Sequence, residues 1–336
     1  MASAGGDPGG VASKPLARPR HVAGAVPCAK IPLPLHAGPR FPDGKIAPKP
    51  AMARFYPLLF VLLWSTGFIG AKLGLPFIGP LHFLAIRYAL VLTLMGALVA
   101  VTRAPWPRSP RQAAHIGMSG LLVHGVYLGG VFMAIRAGLP AGITALVVGL
   151  QPLLTALGAG VLLNERVTRW QWVGLGLGFL GVALVVEGKF GQIRFGEVLP
   201  MLAPAMVALL GITAGTLYQK RFCSHFDLRT GALLQFAPSL ALTAPMAWAL
   251  ETGHIEWTGQ LIFALAWLVL VLSLGAITLL NLLIRSGGAV NVASLFYLTP
   301  VVTALMAWGL FGETLGPLAL TGMALAVAGV ALARRR

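Results

Sequence analysis

Two side chains within the long apolar stretches of this sequence could bind or transfer charge, and they are Arg87 and His124. The guanidinium of Arg87 could reach back to a membrane interface, pair with a carboxylate such as that of Glu313, or anchor the carboxylate of a substrate. His124 could be a packed side chain. Alternatively, because imidazole titrates near neutral pH, it could take up and release protons, which would make it the candidate for proton coupling.

Neutral polar and amphipathic side chains at mid-segment could line a cavity for a small molecule. The candidate cavity residues, with His124 among them, are Trp64, Ser65, Thr66, His124, Tyr127, Gln151, Thr213, Tyr218, Asn281 and Tyr297. Proline follows a polar residue at Gln151-Pro152 and again at Thr299-Pro300. Since proline removes a helical hydrogen bond and frees a carbonyl, Pro152 and Pro300 predict hinges or simple kinks.

Glu165 and Glu313 end their apolar segments at matching positions. We expect each to be structural, accepting backbone N–H groups of the helix that follows. The alternative interpretation is that they are gate residues.

Catalytic and metal-binding patterns are missing from the sequence. It contains no Gly-x-Ser-x-Gly, no phosphate loop and no His-Glu-x-x-His, and its two cysteines, Cys28 and Cys223, form no disulfide or metal spacing. The sequence therefore predicts a protein that is not an enzyme and uses no cofactor or metal.

The composition indicates a lipid environment. Of 336 residues 57% are hydrophobic and 10% are charged, whereas a soluble domain carries roughly 25% charged residues. The net charge of +16 does not predict nucleic-acid binding, because the basic residues lie between apolar segments and not along one face. Membrane lipids and a small-molecule substrate are the expected partners.

The apolar segments predict an all-α integral membrane fold with ten transmembrane helices, each long enough for a ~30 Å hydrocarbon core. They lie near 55–74, 81–101, 113–136, 140–163, 170–187, 198–219, 229–250, 260–283, 288–311 and 314–333. Twenty of the 25 Lys and Arg residues fall on the side that holds both termini, which predicts cytosolic N and C termini.

Residues 1–51 differ from the rest of the chain. They are basic and rich in proline, and no sustained apolar run occurs in them, which predicts a disordered leader. Either this is a cytosolic tail, or the start was assigned too early and translation begins near Met52.

An internal repeat is the sharpest pattern in the sequence. A shift of 148 residues places 141–184 on 289–332 without a gap, and it pairs Pro152 with Pro300, Glu165 with Glu313, and Gly174 with Gly322. The halves, 54–187 and 198–333, hold five predicted spans each. Because five is odd, the second half must be inverted relative to the first, an arrangement found in many secondary transporters.

Short motifs within the two halves resemble those of one known family. They are WSTGF at 64–68, FLAIRY at 83–88, and the doubled pattern of a proline followed by LNE at 163–165 or FGE at 311–313. Together with the repeat, they make the chain similar to EamA-type transporters of the drug/metabolite transporter superfamily. The resemblance implies a ten-helix, two-repeat transporter of the bacterial inner membrane, often an exporter of amino acids or other metabolites.

The predicted function is thus secondary transport of a small organic metabolite or drug by alternating access, with export and an amino-acid-like substrate favoured. A membrane enzyme and a non-transporting membrane protein of the same fold are the alternatives. Small residues at 174, 178 and 181, matched at 322, 326 and 329, predict close helix packing within one chain, or else a dimer interface. Monomer and homodimer therefore both stay open.

Overall fold

The computed structural model describes residues 1, 5, 55–137, 139, 141–187, 195–223, 225–311 and 315–334. The predicted leader, residues 1–51, lies outside the described residues except at positions 1 and 5, and Glu313 lies outside them as well. The described part is helical, and its only β-type pairing is an isolated antiparallel bridge between Ile78 and Ile255.

The first half contains seven α-helices, a 3₁₀ turn at Leu75–Phe77 and a π-helical segment at Leu121–Leu128. The α-helices are α1 (Tyr56–Gly74), α2 (Pro80–Thr102), α3 (Pro110–Gly120), α4 (Gly129–Arg136), α5 (Ala141–Val148), α6 (Gln151–Leu162) and α7 (Arg169–Glu187). The segment α3–π–α4 forms one continuous rod, and α5 and α6 are separated by a turn at Gly149 and Leu150.

The second half contains seven more α-helices, a π-helical segment at Leu268–Ala276 and a 3₁₀ turn at Ser294–Tyr297. The α-helices are α8 (Phe195–Phe222), α9 (Leu228–Leu250), α10 (Gly259–Trp267), α11 (Ile277–Ser286), α12 (Ala289–Ala293), α13 (Leu298–Phe311) and α14 (Pro317–Ala333). The two π-helical segments are related by the 148-residue shift to within one residue, so the same irregularity occurs in both halves.

Several helices begin where the sequence provides a cap or a proline. Ser109 caps α3 by accepting the N–H of Gln112 at 3.2 Å, and Thr258 caps α10 by accepting that of Leu261 at 3.2 Å. Helices α2 and α14 start with Pro80 and Pro317, which lack the N–H that would be unpaired at a first helical position.

Seven helices within the described ranges are long and apolar enough to cross a membrane. They are Tyr56–Phe77, Pro80–Thr102, Pro110–Arg136, Met201–Phe222, Leu228–Leu250, Gly259–Ser286 and Ala289–Leu310. Three shorter apolar helices, Leu146–Leu162, Arg169–Val185 and Pro317–Ala333, lie at the other predicted spans. The prediction of an all-α membrane protein is confirmed.

Equivalent helices of the two halves pack against each other. Helix α2 packs on α9, and α7 packs on α14. In the second pair glycines bring the backbones together: a Cβ at Gly181 would lie 2.4 Å from the backbone nitrogen of Ala326, and one at Gly329 would lie 2.4 Å from that of Gly178. The prediction that these small residues serve packing within one chain is confirmed.

Candidate functional site

A cavity lies between the two halves, and we call it the central cavity. Its lining comes from α1, from the α3–π–α4 rod, from helices α5 to α8, and from α13 with the 3₁₀ turn before it. The lining residues are Trp64, Tyr127, Val131, Ile135, Thr144, Val148, Gly149, Gln151, Val182, Ile212, Phe296, Tyr297, Thr299 and Pro300. The space between them, its opening included, amounts to about 590 Å³.

Much of this lining consists of repeat-related pairs. The 148-residue shift pairs Trp64 with Ile212, Val148 with Phe296, Gly149 with Tyr297, and Gln151 with Thr299, and all eight residues line the cavity. Equivalent positions of the two halves therefore line the same cavity.

Interruptions of two helices place the polar residues in the cavity. The α5–α6 segment breaks at Gly149 and Leu150, directly before Gln151-Pro152. The α12–α13 segment passes through the 3₁₀ turn at Ser294–Tyr297, which ends two residues before Thr299. Proline supplies no N–H to the preceding turn, which explains the break at both positions. In membrane proteins, broken helices are tolerated where they line a cavity.

Three polar atoms of the lining have no hydrogen-bond partner in the described structure. They are Oε1 of Gln151, the hydroxyl of Tyr297 and Oγ1 of Thr299. All three side chains are at most 4% exposed. An unpaired buried polar atom costs about 1–3 kcal/mol, so such a cluster is expected where a ligand provides the partner.

One wall of the cavity is aromatic. Trp64 and Phe296 meet edge to face with ring centroids 5.3 Å apart, and Phe60 packs against both, at 5.2 Å from Trp64 and 5.4 Å from Phe296. Tyr297 packs on span α7, where only a glycine leaves room: a Cβ at Gly178 would lie 2.5 Å from its ring. This wall offers an apolar surface beside the unpaired polar atoms.

The structure separates the predicted cavity residues into two groups. Trp64, Tyr127, Gln151 and Tyr297 line the central cavity. His124 is buried elsewhere, stacked on Phe236 with ring centroids 4.3 Å apart.

The hydroxyls predicted near the cavity are already engaged. Ser65 donates to the carbonyl of Val61 at 2.7 Å, Thr66 to that of Leu63 at 2.6 Å, and Thr213 to that of Leu209 at 2.7 Å. Tyr218 and the ring of His115 form a hydrogen bond of 2.6 Å. Ser65, Thr66, Thr213 and Tyr218 do not line the cavity, because the position of a residue in the sequence does not determine which way its side chain points.

Asn281 does not line the cavity but belongs to a buried amide network. Its Oδ1 accepts from Gln219 at 2.6 Å, its Nδ2 donates to Gln235 at 3.4 Å, and Gln235 donates to Ser119 at 3.1 Å. The network joins α3, α8, α9 and α11, and it ties the two halves together at one end of the bundle.

Glu165 lies at that same end and connects the halves. Its carboxylate accepts the N–H of Ala289 at 3.1 Å, at the start of α12, so it caps a helix of the other half and not the helix that follows it. Asn164 makes this possible, because its left-handed backbone, with φ of 53°, ends α6 and turns the chain. Lys220 donates to the carbonyls of Ile284 and Gly287 at the same place.

At the opposite end, Glu251 also caps a helix of the other half. Nothing in the sequence pattern indicates this role. Glu251 accepts the N–H of Leu81 at 2.7 Å and that of His82 at 3.0 Å, which caps α2 from the end of α9. Arg136 lies 3.7 Å from its carboxylate. The cavity extends toward this end, since its lining includes Ile135, next to Arg136.

No group of three or more His, Cys, Asp or Glu side chains within the described ranges could hold a metal ion. A bundle of apolar helices in two related halves, with a cavity that both halves line, defines the class of protein as a membrane transporter.

Comparison with known proteins identifies the family. The model of the EamA-like transporter family matches twice, at residues 52–187 and 200–335. This chain therefore belongs to the EamA-like transporter family, and the resemblance seen in the sequence motifs is confirmed. It is a multi-pass protein of the bacterial inner membrane, as predicted.

Relatives are named as transporters. The "Probable amino-acid metabolite efflux pump" of Salmonella typhimurium (strain LT2) is 28% identical over 82% of this chain and 92% of that protein. The "Uncharacterized inner membrane transporter YedA" of Escherichia coli (strain K12) is 29% identical over 76% of this chain and 81% of that protein. A protein of known crystal structure, 22% identical, shares the fold with a TM-score of 0.71 over 85% of this chain and 97% of that one.

Proposed function

We propose that this protein exports a small neutral or zwitterionic metabolite with an apolar portion, of the amino-acid class, by alternating access through the central cavity. The observation that carries the proposal is the set of three unpaired polar atoms on Gln151, Tyr297 and Thr299, grouped in a cavity that both halves line. A transported molecule would supply the missing hydrogen bonds while it is bound.

The chemistry of the lining supports that substrate class. None of the lining residues is ionisable at neutral pH, and their polar atoms are neutral hydroxyl, amide and indole groups. Oε1 of Gln151 is an acceptor that suits an N–H donor, and the wall of Phe60, Trp64 and Phe296 suits an apolar side chain. The name of the Salmonella relative agrees with an amino-acid metabolite and with outward transport.

The proposed topology has ten crossings, with both termini in the cytosol and the second five-helix half (198–333) inverted relative to the first (54–187). The distribution of Lys and Arg supports it. An alkaline phosphatase fused after Arg336 is then inactive, and an active fusion would contradict the topology.

In this orientation the Glu165 end is cytosolic, and this conformation faces outward. Contacts between the halves occur at that end, including the bond from Ala289 to Glu165 and the 3.2 Å bond from Gln171 to Asn291. They also occur at the other end, through Glu251, so the direction in which the cavity lining extends is what supports the assignment. The lining extends toward the other end. Because the halves share one fold, exchange of their conformations would open the cytosolic end and close the outer one.

Flux in proteoliposomes tests the proposed function. Purified protein is reconstituted and uptake is measured for radiolabelled amino acids, their amides, nucleosides, sugars and cationic drugs. We expect flux for apolar amino acids or their derivatives above that of protein-free liposomes. No flux for any compound, from protein that remains monodisperse and folded, would contradict the proposal.

A further inference from the structure

Arg87 is a buried cation whose hydrogen-bonding capacity is almost unused. The residue is 2% exposed, seven residues after Pro80 in the membrane-spanning helix Pro80–Thr102, and its Nε donates to Oγ of Ser273 at 3.0 Å. That is the only hydrogen bond of the guanidinium among the described residues, although the group has five N–H donors. No carboxylate of the described residues lies within 4 Å of it.

The equivalent position in the second half shows which side chain is sufficient for folding there. The 148-residue shift pairs Arg87 with Gln235, and Tyr88 with Phe236. Gln235 is as deeply buried, at 1% exposure, but both ends of its amide are paired, with Ser119 and with Asn281. A neutral, fully satisfied side chain thus fills the equivalent place, and the positive charge of Arg87 is an addition that packing does not require.

Arg87 is not itself among the residues that line the central cavity, but one of the groups around it is. Tyr127, which lines the cavity, and Tyr88 are close enough to interact electrostatically with the guanidinium, and so is His124. Tyr127 and His124 lie on one π-helical segment and Ser273 lies on the other. Such segments occur frequently at functional sites, because their backbone can rearrange.

We infer that Arg87 is the site for the carboxylate of the transported molecule. This deepens the proposed function and rests on it: the neutral lining binds the ammonium and apolar parts, and Arg87, beside Tyr127, binds the acid group. A guanidinium binds a carboxylate through two parallel N–H bonds, and here Nη1 and Nη2 are the donors that Ser273 leaves for that purpose.

Matched acids and amides test the inference. Flux of L-leucine and L-leucinamide, and of L-phenylalanine and L-phenylalaninamide, is measured in proteoliposomes with the wild type, Arg87→Gln and Arg87→Lys. We expect the wild type to favour the acids at least tenfold, Arg87→Gln to lose most of that preference, and Arg87→Lys to retain part of it. Gln235→Met, at the equivalent buried position, serves as the control and leaves the preference unchanged.

The outcomes separate this inference from the proposed function. Flux without an acid preference in the wild type overturns the Arg87 site alone, and this comparison needs no variant to fold. If Arg87→Gln slows acid and amide equally, the inference is also overturned. That result is expected if Arg87 has only a structural role, such as pairing with Glu313. Absence of flux for all four compounds from folded protein contradicts transport of this class, and the Arg87 site with it.

Discussion

At the scale of single residues, the distinction that matters is between polar atoms with and without a partner. Thr213 and Thr243 donate to carbonyls of their own helices, whereas Oγ1 of Thr299 has no partner in the described structure. A satisfied hydroxyl stabilises the fold or is neutral, but an unsatisfied one carries a desolvation cost. Replacement by an apolar group of the same shape should therefore have opposite effects on the stability of the fold for paired and unpaired hydroxyls.

Thr299→Val removes the unpaired hydroxyl and keeps the shape of the side chain. We expect no loss of thermal stability, and a gain of up to about 1 kcal/mol, because a desolvated orphan is removed. Flux should fall at least tenfold, because the substrate loses a hydrogen bond. Thermal unfolding in detergent and flux in proteoliposomes measure the two effects.

Thr243→Val is the matched control for that variant. Thr243 is buried in α9 away from the cavity, and its hydroxyl is bonded at 2.7 Å. This variant should keep its flux. If Thr299→Val also transported normally, the unpaired atoms would have no part in substrate binding.

Sequence reasoning located part of the candidate site. Trp64, Tyr127, Gln151 and Tyr297 were proposed from residue type and mid-segment position, and they line the cavity. Consecutive residues of a helix point about 100° apart, so Ser65 and Thr66 could not share the orientation of Trp64. Residue type does not distinguish the apolar lining residues from other apolar residues of the helices. Ile212 could nevertheless have been found, because the 148-residue shift pairs it with Trp64.

At the scale of elements, the fold depends on two features that are repeated in both halves. The break before Gln151-Pro152 and the one before Thr299-Pro300 could be anticipated, because proline removes a helical hydrogen bond. Proline alone does not fix a break, since α9 continues through Pro238 and Pro245. The two π-helical segments could not be anticipated, since their sequences, LLVHGVYL and LVLVLSLGA, have the composition of an ordinary apolar helix. Tertiary packing, not local sequence, selects that geometry.

The α7–α14 interface offers a direct test of close helix packing. Gly181→Ala would place a methyl group 2.4 Å from the backbone nitrogen of Ala326, which must force the helices apart. Overpacking of this kind costs about 1–3 kcal/mol, so the unfolding temperature should fall.

Gly176→Ala provides the comparison on the same helix. A Cβ at Gly176 would meet nothing within 4 Å, and alanine favours a helix over glycine by about 1 kcal/mol. This variant should be as stable as the wild type or more so. Equal destabilisation by the two substitutions would show that the glycines do not determine the approach of α7 and α14.

At the scale of the whole molecule, the repeat joins the cavity to the proposed motion. Repeat-related residues meet at the cavity, while contacts between the halves occur at each end, through Glu165 at one and Glu251 at the other. The Glu165 contact lies at the end away from the cavity and would have to break for that end to open. An odd number of spans per repeat predicts that the halves are inverted, but nothing in the sequence predicts which conformation the molecule adopts.

Two-sided accessibility of one cavity residue tests the central claim most directly. Val148 is replaced by cysteine in a chain whose two native cysteines, Cys28 and Cys223, are changed to serine, and a membrane-impermeant thiol reagent is added from either side of active proteoliposomes. We predict modification from both sides, slowed by a transported substrate, and loss of flux in the modified protein. Modification from one side only, or modification that leaves flux intact, would contradict alternating access through the central cavity.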